Sequence, residues 1–382
     1  LPSMPQIFHG RESELSDILQ LFTYDAPRIA ILGAGGMGKT SLARAVLHHP
    51  DITLKYGECR MFVACDVAST VAELVTLIPN YLGLEQGKNP KQQILHHFAS
   101  RPPTLLILDN LETSWEPTVS RKEIEEFLSL LTDIQHLSLI ITMRGAERPA
   151  QVRWTRPFLQ PLSPLTRDAA QKTFIAIAGE MHDSEDIEKI LHLTDNMPLA
   201  IGLMAHLVDS EGCPIILSRW DTEKTSLVSD GYDQRSNLDM SIAMSLSSPR
   251  VASVSGTKDL LSLLSILPDG LSDVELRQSN FPIDNILECK ANLLRTSLAY
   301  STSQKRLKVL VPIQEHMQTY HPIVLDIVEP LFQRYRENLE LYQKYKGTMR
   351  TEIIPQITMN FANIQSILLF RIQQEQFDHS QT

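Results

Sequence analysis

Gly33-Ala34-Gly35-Gly36-Met37-Gly38-Lys39-Thr40 is the stretch whose reading decides the fold. It follows the apolar run Ile29-Ala30-Ile31-Leu32 and precedes Ser41-Leu42-Ala43-Arg44-Ala45-Val46-Leu47. Strand, glycine loop, helix is the order that a phosphate-binding loop requires. Glycine tolerates positive φ, so Gly33, Gly35, Gly36 and Gly38 let the backbone turn its N–H groups inward. The cradle runs from Gly33 through Met37 to Ser41 and gains the positive end of the following helix, which makes it an anion site. In such a loop Lys39 reaches the β- and γ-phosphates and the Thr40 hydroxyl binds Mg²⁺.

Upstream, Phe8-His9-Gly10-Arg11-Glu12 leads into Leu15, Ile18, Leu19 and Phe22 at helical spacing. Arg11 read alone is either a site residue or a solvated charge at a helix start. Downstream to about Leu159, strands and helices alternate. Arg60–Cys65, Thr104–Asp109 and Leu137–Arg144 read as strands, and one more ends near Leu159. Thr70-Val71-Ala72-Glu73 and Ser120-Arg121-Lys122-Glu123 read as helix caps. Continuous apolar strands alternating with helices imply a parallel sheet covered on both faces.

After Pro161 and Pro164 the texture turns helical, with breaks near His182 and Asn196. The polar stretch Glu211–Val254, Ser-rich over Ser226–Ser236, reads as a loop. Leu260–Leu267, Asp273–Arg277 and Asp284–Leu294 are short helices, and Ser297–Ser301 pairs with Arg306–Val311 as a hairpin. Three short helices and a hairpin form a winged-helix pattern. Beyond Pro330, Tyr335, Leu339, Tyr342 and Tyr345 keep helical spacing. The expected division is a P-loop nucleotide-binding domain over 1–160, a helical subdomain over 161–255, a winged helix over 256–325 and the start of α-helical repeats over 326–382.

The 382 residues are 43% hydrophobic and 21% charged, which is ordinary globular material. Acidic residues outnumber basic ones 45 to 35, a net charge of −10 that argues against bulk binding to nucleic acid or anionic membrane. Cys59, Cys65, Cys213 and Cys289 show no C-x-x-C spacing and read as free thiols in a reducing, cytoplasmic setting. No apolar run approaches the roughly 18 residues of a membrane span. The chain opens on Leu1 rather than Met and reads as a fragment.

Asp109 ends a buried strand, where parallel sheets place their ligands, and can hold the Mg²⁺ shell with Thr40; the alternative is a helix cap or loop acid. Arg144 ends the next strand on the same edge, placed to sense a γ-phosphate or to form an ordinary ion pair. Glu112 lies just past the end of the third strand. Pro198 in Asn196-Met197-Pro198-Leu199-Ala200 sits at a helix start, a normal capping arrangement.

The order of these segments, with Leu264-Ser265-Ile266-Leu267-Pro268-Asp269-Gly270, resembles the NB-ARC-type STAND nucleotide switches. That class includes plant disease-resistance proteins, apoptosome scaffolds and many fungal proteins with C-terminal helical repeats, and Leu108-Asp109-Asn110-Leu111-Glu112 is most similar to the fungal members. The resemblance spans roughly residues 5 to 325. It implies that Phe8 and Arg11 lie near an adenine, that Pro198 packs on the base with Leu199 beside it, and that Arg144 is a sensor. It implies ATP/ADP and Mg²⁺ as ligands, slow hydrolysis, self-association when activated, and an effector domain or protein ligand of unknown kind. Two positions depart from the pattern. Asn110 stands where the family carries a second acid, and an amide cannot accept a proton as a base. The family's methionine-histidine-aspartate motif falls near Val311-Pro312-Ile313, without its histidine; His316 lies a turn further on. A P-loop small-molecule kinase and a nucleotide-gated transcription regulator are the rival readings.

Overall fold

The structure is a computed structural model that describes residues 1–84, 89–224, 238–302, 304–344 and 348–380, with the side chains of 118, 348–352 and 373–380 outside the description. Four apolar segments form a parallel sheet: β1 (Arg28–Gly33), β2 (Arg60–Ala64), β3 (Thr104–Asp109) and β4 (Leu137–Arg144), in the order β1-β4-β3-β2. The expected further strand is reduced to one parallel bridge, Leu162 to Gly33, on the free side of β1. Pro157, Pro161 and Pro164 crowd that segment and remove ladder donors, which keeps it short.

Alternation along β1 explains the two layers. Ile29 and Ile31 face one apolar cluster with Ile18, Leu42 and Val46, while Ala30 and Leu32 face another with Leu74, Ile78 and Phe127. The helices Glu12–Leu21 and Lys39–His48 therefore cover one face, and Val71–Leu82, Pro90–Ala99 and Thr118–Thr132 the other. The register pairs Gly33 with Arg144 and Leu108 with Ile141. The glycine loop, Asp109 and Arg144 consequently share the C-terminal edge of the sheet.

Four helices follow, Arg167–Ala178, Ser184–Thr194, Pro198–Glu211 and Cys213–Glu223. The expected loop over Glu211–Val254 is corrected here: Cys213–Glu223, Leu238–Leu246 and Pro249–Ala252 are helical. Gly212, at φ 87°, breaks the chain only locally, and Pro214 starts a new helix in its first turn. The Ser-rich run Ser226–Ser236 lies outside the described residues. A second correction concerns Ser120, expected as a cap. The helix begins at Thr118 after Pro117, and the Ser120 hydroxyl donates instead to the Ser114 carbonyl at 2.8 Å.

Helices Thr257–Ser265, Asp273–Gln278 and Ile286–Arg295 then surround a small antiparallel sheet of β5 (Leu271–Ser272), β6 (Tyr300–Ser301) and β7 (Arg306–Lys308), in the order β5-β7-β6. β7 stops earlier than expected because Pro312 favours the start of the helix Val311–Tyr320. Helices Leu325–Lys344, Thr348–Met359 and Phe361–Ser380 close the described chain. Among the described residues no single helix is long and apolar enough to cross a membrane; the bent pair Ile353–Met359 and Phe361–Ile372 reaches the needed composition only in combination.

Candidate nucleotide-binding site

The loop owes its shape to its glycines. Gly36 and Gly38 take φ 75° and 82°, and Gly38 ends the loop as the left-handed residue before helix Lys39–His48. At two loop positions a Cβ would push on a side chain from the helical region. One on Gly35 would lie 2.6 Å from Ser241 Oγ, and one on Gly36 would lie 2.9 Å from Met197 Cε. Groups from the helical region thus rest directly on the loop.

Lys39 is 6% exposed, and its Nζ donates to the carbonyls of Gly33 (3.1 Å) and Ala34 (2.7 Å). Burial lowers this ammonium from its ordinary value to about 8; the nearby Arg144 charge lowers it too, while Glu112 and Asp109 act to raise it. Thr40 Oγ1 donates to both Asp109 oxygens, at 2.8 and 3.1 Å, and Thr142 Oγ1 donates to Oδ1 at 2.6 Å. Asp109 is fully buried, so these hydroxyls supply the hydrogen bonds that keep its charge tolerable. Among the described residues no three His, Cys, Asp or Glu side chains converge on a metal position. A divalent ion beside Thr40 and Asp109 would take its other ligands from phosphate oxygens and water, as Mg²⁺ usually does.

Glu112, in the short helix Glu112–Trp115, is 8% exposed. Its Oε1 lies 3.2 Å from Arg144 Nε, while its Oε2 is buried without a partner. An orphaned carboxylate oxygen next to a charged lysine fits a site that takes up water or a ligand oxygen. Arg144 also donates from NH1 to the Ser241 carbonyl at 2.8 Å and to Ser245 Oγ at 3.0 Å. Asn110 takes φ 58°, a left-handed conformation that Asn adopts readily, and its N–H donates to Thr142 Oγ1 at 2.9 Å.

Arg11 is 4% exposed and braces the loop from below: NH2 donates to the carbonyls of Met37 (3.1 Å) and Ser163 (2.6 Å), and NH1 pairs with Glu14. Phe8 is half-buried against the core beside it, and Ser41 is half-buried on the loop helix. Pro198 opens its helix after Met197, and the N–H of Leu199 donates to the Gly36 carbonyl at 3.1 Å. The structure therefore brings Lys39, Thr40, Asp109, Glu112 and Arg144 together and sets Leu199 on the loop. His316 is elsewhere, donating from Nδ1 to Asp239 at 2.7 Å. Ile313 instead lines the small gap beside Ala34 and Gly35. Sequence reasoning missed Met197, Thr142, Ser241 and Ser245. The apolar spacing Leu238, Ile242, Leu246 is the signal that would have placed the two serines on a helix. A larger cavity of about 640 Å³ lies between helix Glu12–Leu21 and residues 157–163 and meets this region near Glu14, Leu162 and Ser163.

A parallel sheet with a glycine loop, a buried lysine and a hydroxyl–carboxylate pair at one edge defines a P-loop nucleotide-binding NTPase. Within that class, the family model Novel STAND NTPase 1 matches residues 2–245, and the chain belongs to that family. No curated protein matches. Among solved structures, the Walker-type ATPase PABY2304 of Pyrococcus abyssi is similar in fold, with TM-score 0.56 and 13% identity over 82% of this chain and 97% of that one. A STAND protein with a tetratricopeptide repeat sensor, PH0952 of Pyrococcus horikoshii, aligns with TM-score 0.38 and 18% identity over 90% of this chain and 46% of that one. The Orc1 protein of Aeropyrum pernix, solved in complex with DNA, aligns with TM-score 0.47 and 13% identity over 87% and 97%.

Proposed function

We propose that this protein is an ATP/ADP-dependent signalling switch of the NB-ARC kind, in which the bound nucleotide sets how tightly later parts of the chain close over the phosphate loop. One observation carries the reading: residues from several separate segments converge on the loop. Leu199 bonds Gly36, Ser241 abuts Gly35, and Ile313 borders the same gap. A ligand shifts a conformational equilibrium only through different affinities for its states, and contacts drawn from separate parts of the chain supply that difference.

In this reading the Asp109 carboxylate and Thr40 hydroxyl hold Mg²⁺, which supplies charge neutralisation at the phosphates when bound. Lys39 leaves its two backbone carbonyls for the phosphate oxygens. Phe8, Arg11, Pro198 and Leu199 frame the base, with Arg11 also fixing the loop through Met37. Arg144 meets developing charge, and Glu112 orients water in place of the missing second acid at Asn110. Hydrolysis is slow, below the roughly 1–100 s⁻¹ of kinases. The boundaries 1–160, 161–255, 256–325 and 326–382, the winged-helix identity of the third unit, a cytoplasmic setting and self-association in the triphosphate state belong to the same proposal. A DNA-reading role for the third unit gains little support, because Lys290 is paired with Asp273 and Arg295 with Glu147.

Lys39→Ala tests the reading. It should abolish most adenine-nucleotide affinity and remove the rise in melting temperature that saturating ADP gives the parent, since ligands stabilise by mass action. Equal ADP affinity in mutant and parent would overturn it.

A further inference from the structure

Helix Leu238–Leu246 is pressed against the phosphate loop at the end nearest Arg144. Arg144 is held there on every side. NH1 donates to the Ser241 carbonyl (2.8 Å) and to Ser245 Oγ (3.0 Å), NH2 lies 4.0 Å from the Met244 sulfur, and Nε pairs with Glu112 (3.2 Å). Ser245 Oγ in turn donates to the Ser241 carbonyl at 3.0 Å. The gap left among Ala34, Gly35, Met197, Ser241 and Ile313 is about 10 Å³. That is the lower bound for one water and far less than a phosphate group occupies. The helix is also tied away from the loop. The Asp239 carboxylate accepts from His316 Nδ1 (2.7 Å) and from the Tyr320 hydroxyl (3.2 Å), both on helix Val311–Tyr320.

We infer that helix Leu238–Leu246 is a latch that discriminates a nucleoside triphosphate from a diphosphate, by filling the ground beside Gly35 that a third phosphate needs and by holding Arg144 on Ser241 and Ser245. The inference rests on the nucleotide-switch reading and names the element that gives the two nucleotides different affinities. While the latch is seated, Arg144 also stays on Glu112, so the charge sensor and the water-orienting carboxylate neutralise each other. A triphosphate reaches Arg144 only by lifting the helix. Lifting it strains the Asp239 contacts to His316 and Tyr320 and so transmits the event to helix Val311–Tyr320. Coupling of this kind is reciprocal: anything that pulls on helix Val311–Tyr320 raises triphosphate affinity.

The test is calorimetric titration of the full chain with ADP and with a non-hydrolysable ATP analogue, both with Mg²⁺, in the parent, in Ser245→Ala and in Ser241→Leu. Ser245→Ala removes one hydrogen bond to a charged group, so triphosphate affinity relative to ADP should rise by about tenfold. A leucine at 241 cannot be seated against Gly35, where the serine hydroxyl already abuts the loop, so Ser241→Leu unseats the helix and should raise that ratio further. If Ser241→Leu does not fold, Ser245→Ala alone decides. An unchanged ratio in the folded variants, or equal weakening of both ligands, overturns the latch while leaving nucleotide binding intact. A parent that binds neither nucleotide overturns the nucleotide reading and the latch with it.

Discussion

Lys39 carries a charge that its surroundings make hard to keep. Burial brings its ammonium down to about 8, while a phosphate contact needs the protonated form. Nucleotide affinity should therefore be flat below about pH 7 and fall by up to about tenfold per unit above pH 8, where the free protein sheds this proton. The stability effect has the opposite sign. A lowered lysine pKa penalises the fold while the group is protonated, and the penalty fades as pH rises from about 8 toward the unfolded value near 10.4. Dissociation constants for ADP measured from pH 6.5 to 9.5 check the first claim; a constant value across that range would remove Lys39 from the phosphates. Glu112 gives a second prediction at this scale. In the proposed reading Glu112, whose Oε2 is buried without a partner, orients the attacking water, so Glu112→Gln should slow the chemical step in single turnover by about 10²–10⁴-fold. Asn110→Asp should leave that step unchanged, because φ 58° and the Thr142 bond give Asn110 a backbone role. A gain in Asn110→Asp with no loss in Glu112→Gln would reverse the assignment. Lys39, Thr40 and Asp109 were legible because their spacing from two apolar strands fixes where they fall. The aim of Glu112 was not, since it depends on a one-turn helix and on which partner Arg144 takes.

At the scale of elements, β1, β3 and β4 were legible as continuous apolar runs, because a strand buried on both faces has no polar face to obscure it. Helix Leu238–Leu246 was not. The spacing of Leu238, Ile242 and Leu246 is interrupted by methionines and serines and follows a polar, Ser-rich stretch, which masks it. The motif Leu267-Pro268-Asp269-Gly270 was legible as a turn, but its purpose emerges only in three dimensions. The Asp269 carboxylate accepts from the N–H groups of Ala362 (2.9 Å) and Asn363 (3.2 Å), capping helix Phe361–Ser380 from 93 residues away. Asn363, fully buried, donates back to the Gly270 carbonyl at 2.8 Å, and Arg306 donates to Gly270 and to Asn360. Loss of a capping carboxylate costs about 0.5–2 kcal/mol. Asp269→Ala should lower the urea midpoint accordingly with the slope unchanged, while ADP affinity in native buffer stays at the parent value. An unchanged midpoint would mean that helix Phe361–Ser380 is held by apolar packing alone.

Across the whole molecule, these contacts form one mechanical series. The C-terminal helices are clasped to the turn at Pro268–Gly270 and β7; helix Val311–Tyr320 follows and is tied to the latch through Asp239; the latch holds Arg144 over the phosphate loop. A second tie runs from the Val311 N–H to Asp195 at 3.3 Å, two residues before Met197, which rests on Gly36. Nucleotide state should accordingly change the shape of the molecule and not only the loop. Small-angle scattering of the full chain, with Mg²⁺ and either ADP or a non-hydrolysable ATP analogue at saturation, tests this most directly. A compact particle is expected with ADP and an expanded or self-associated one with the triphosphate, the difference vanishing in Lys39→Ala. Superimposable scattering curves for the two nucleotides, with both shown to be bound, would contradict it.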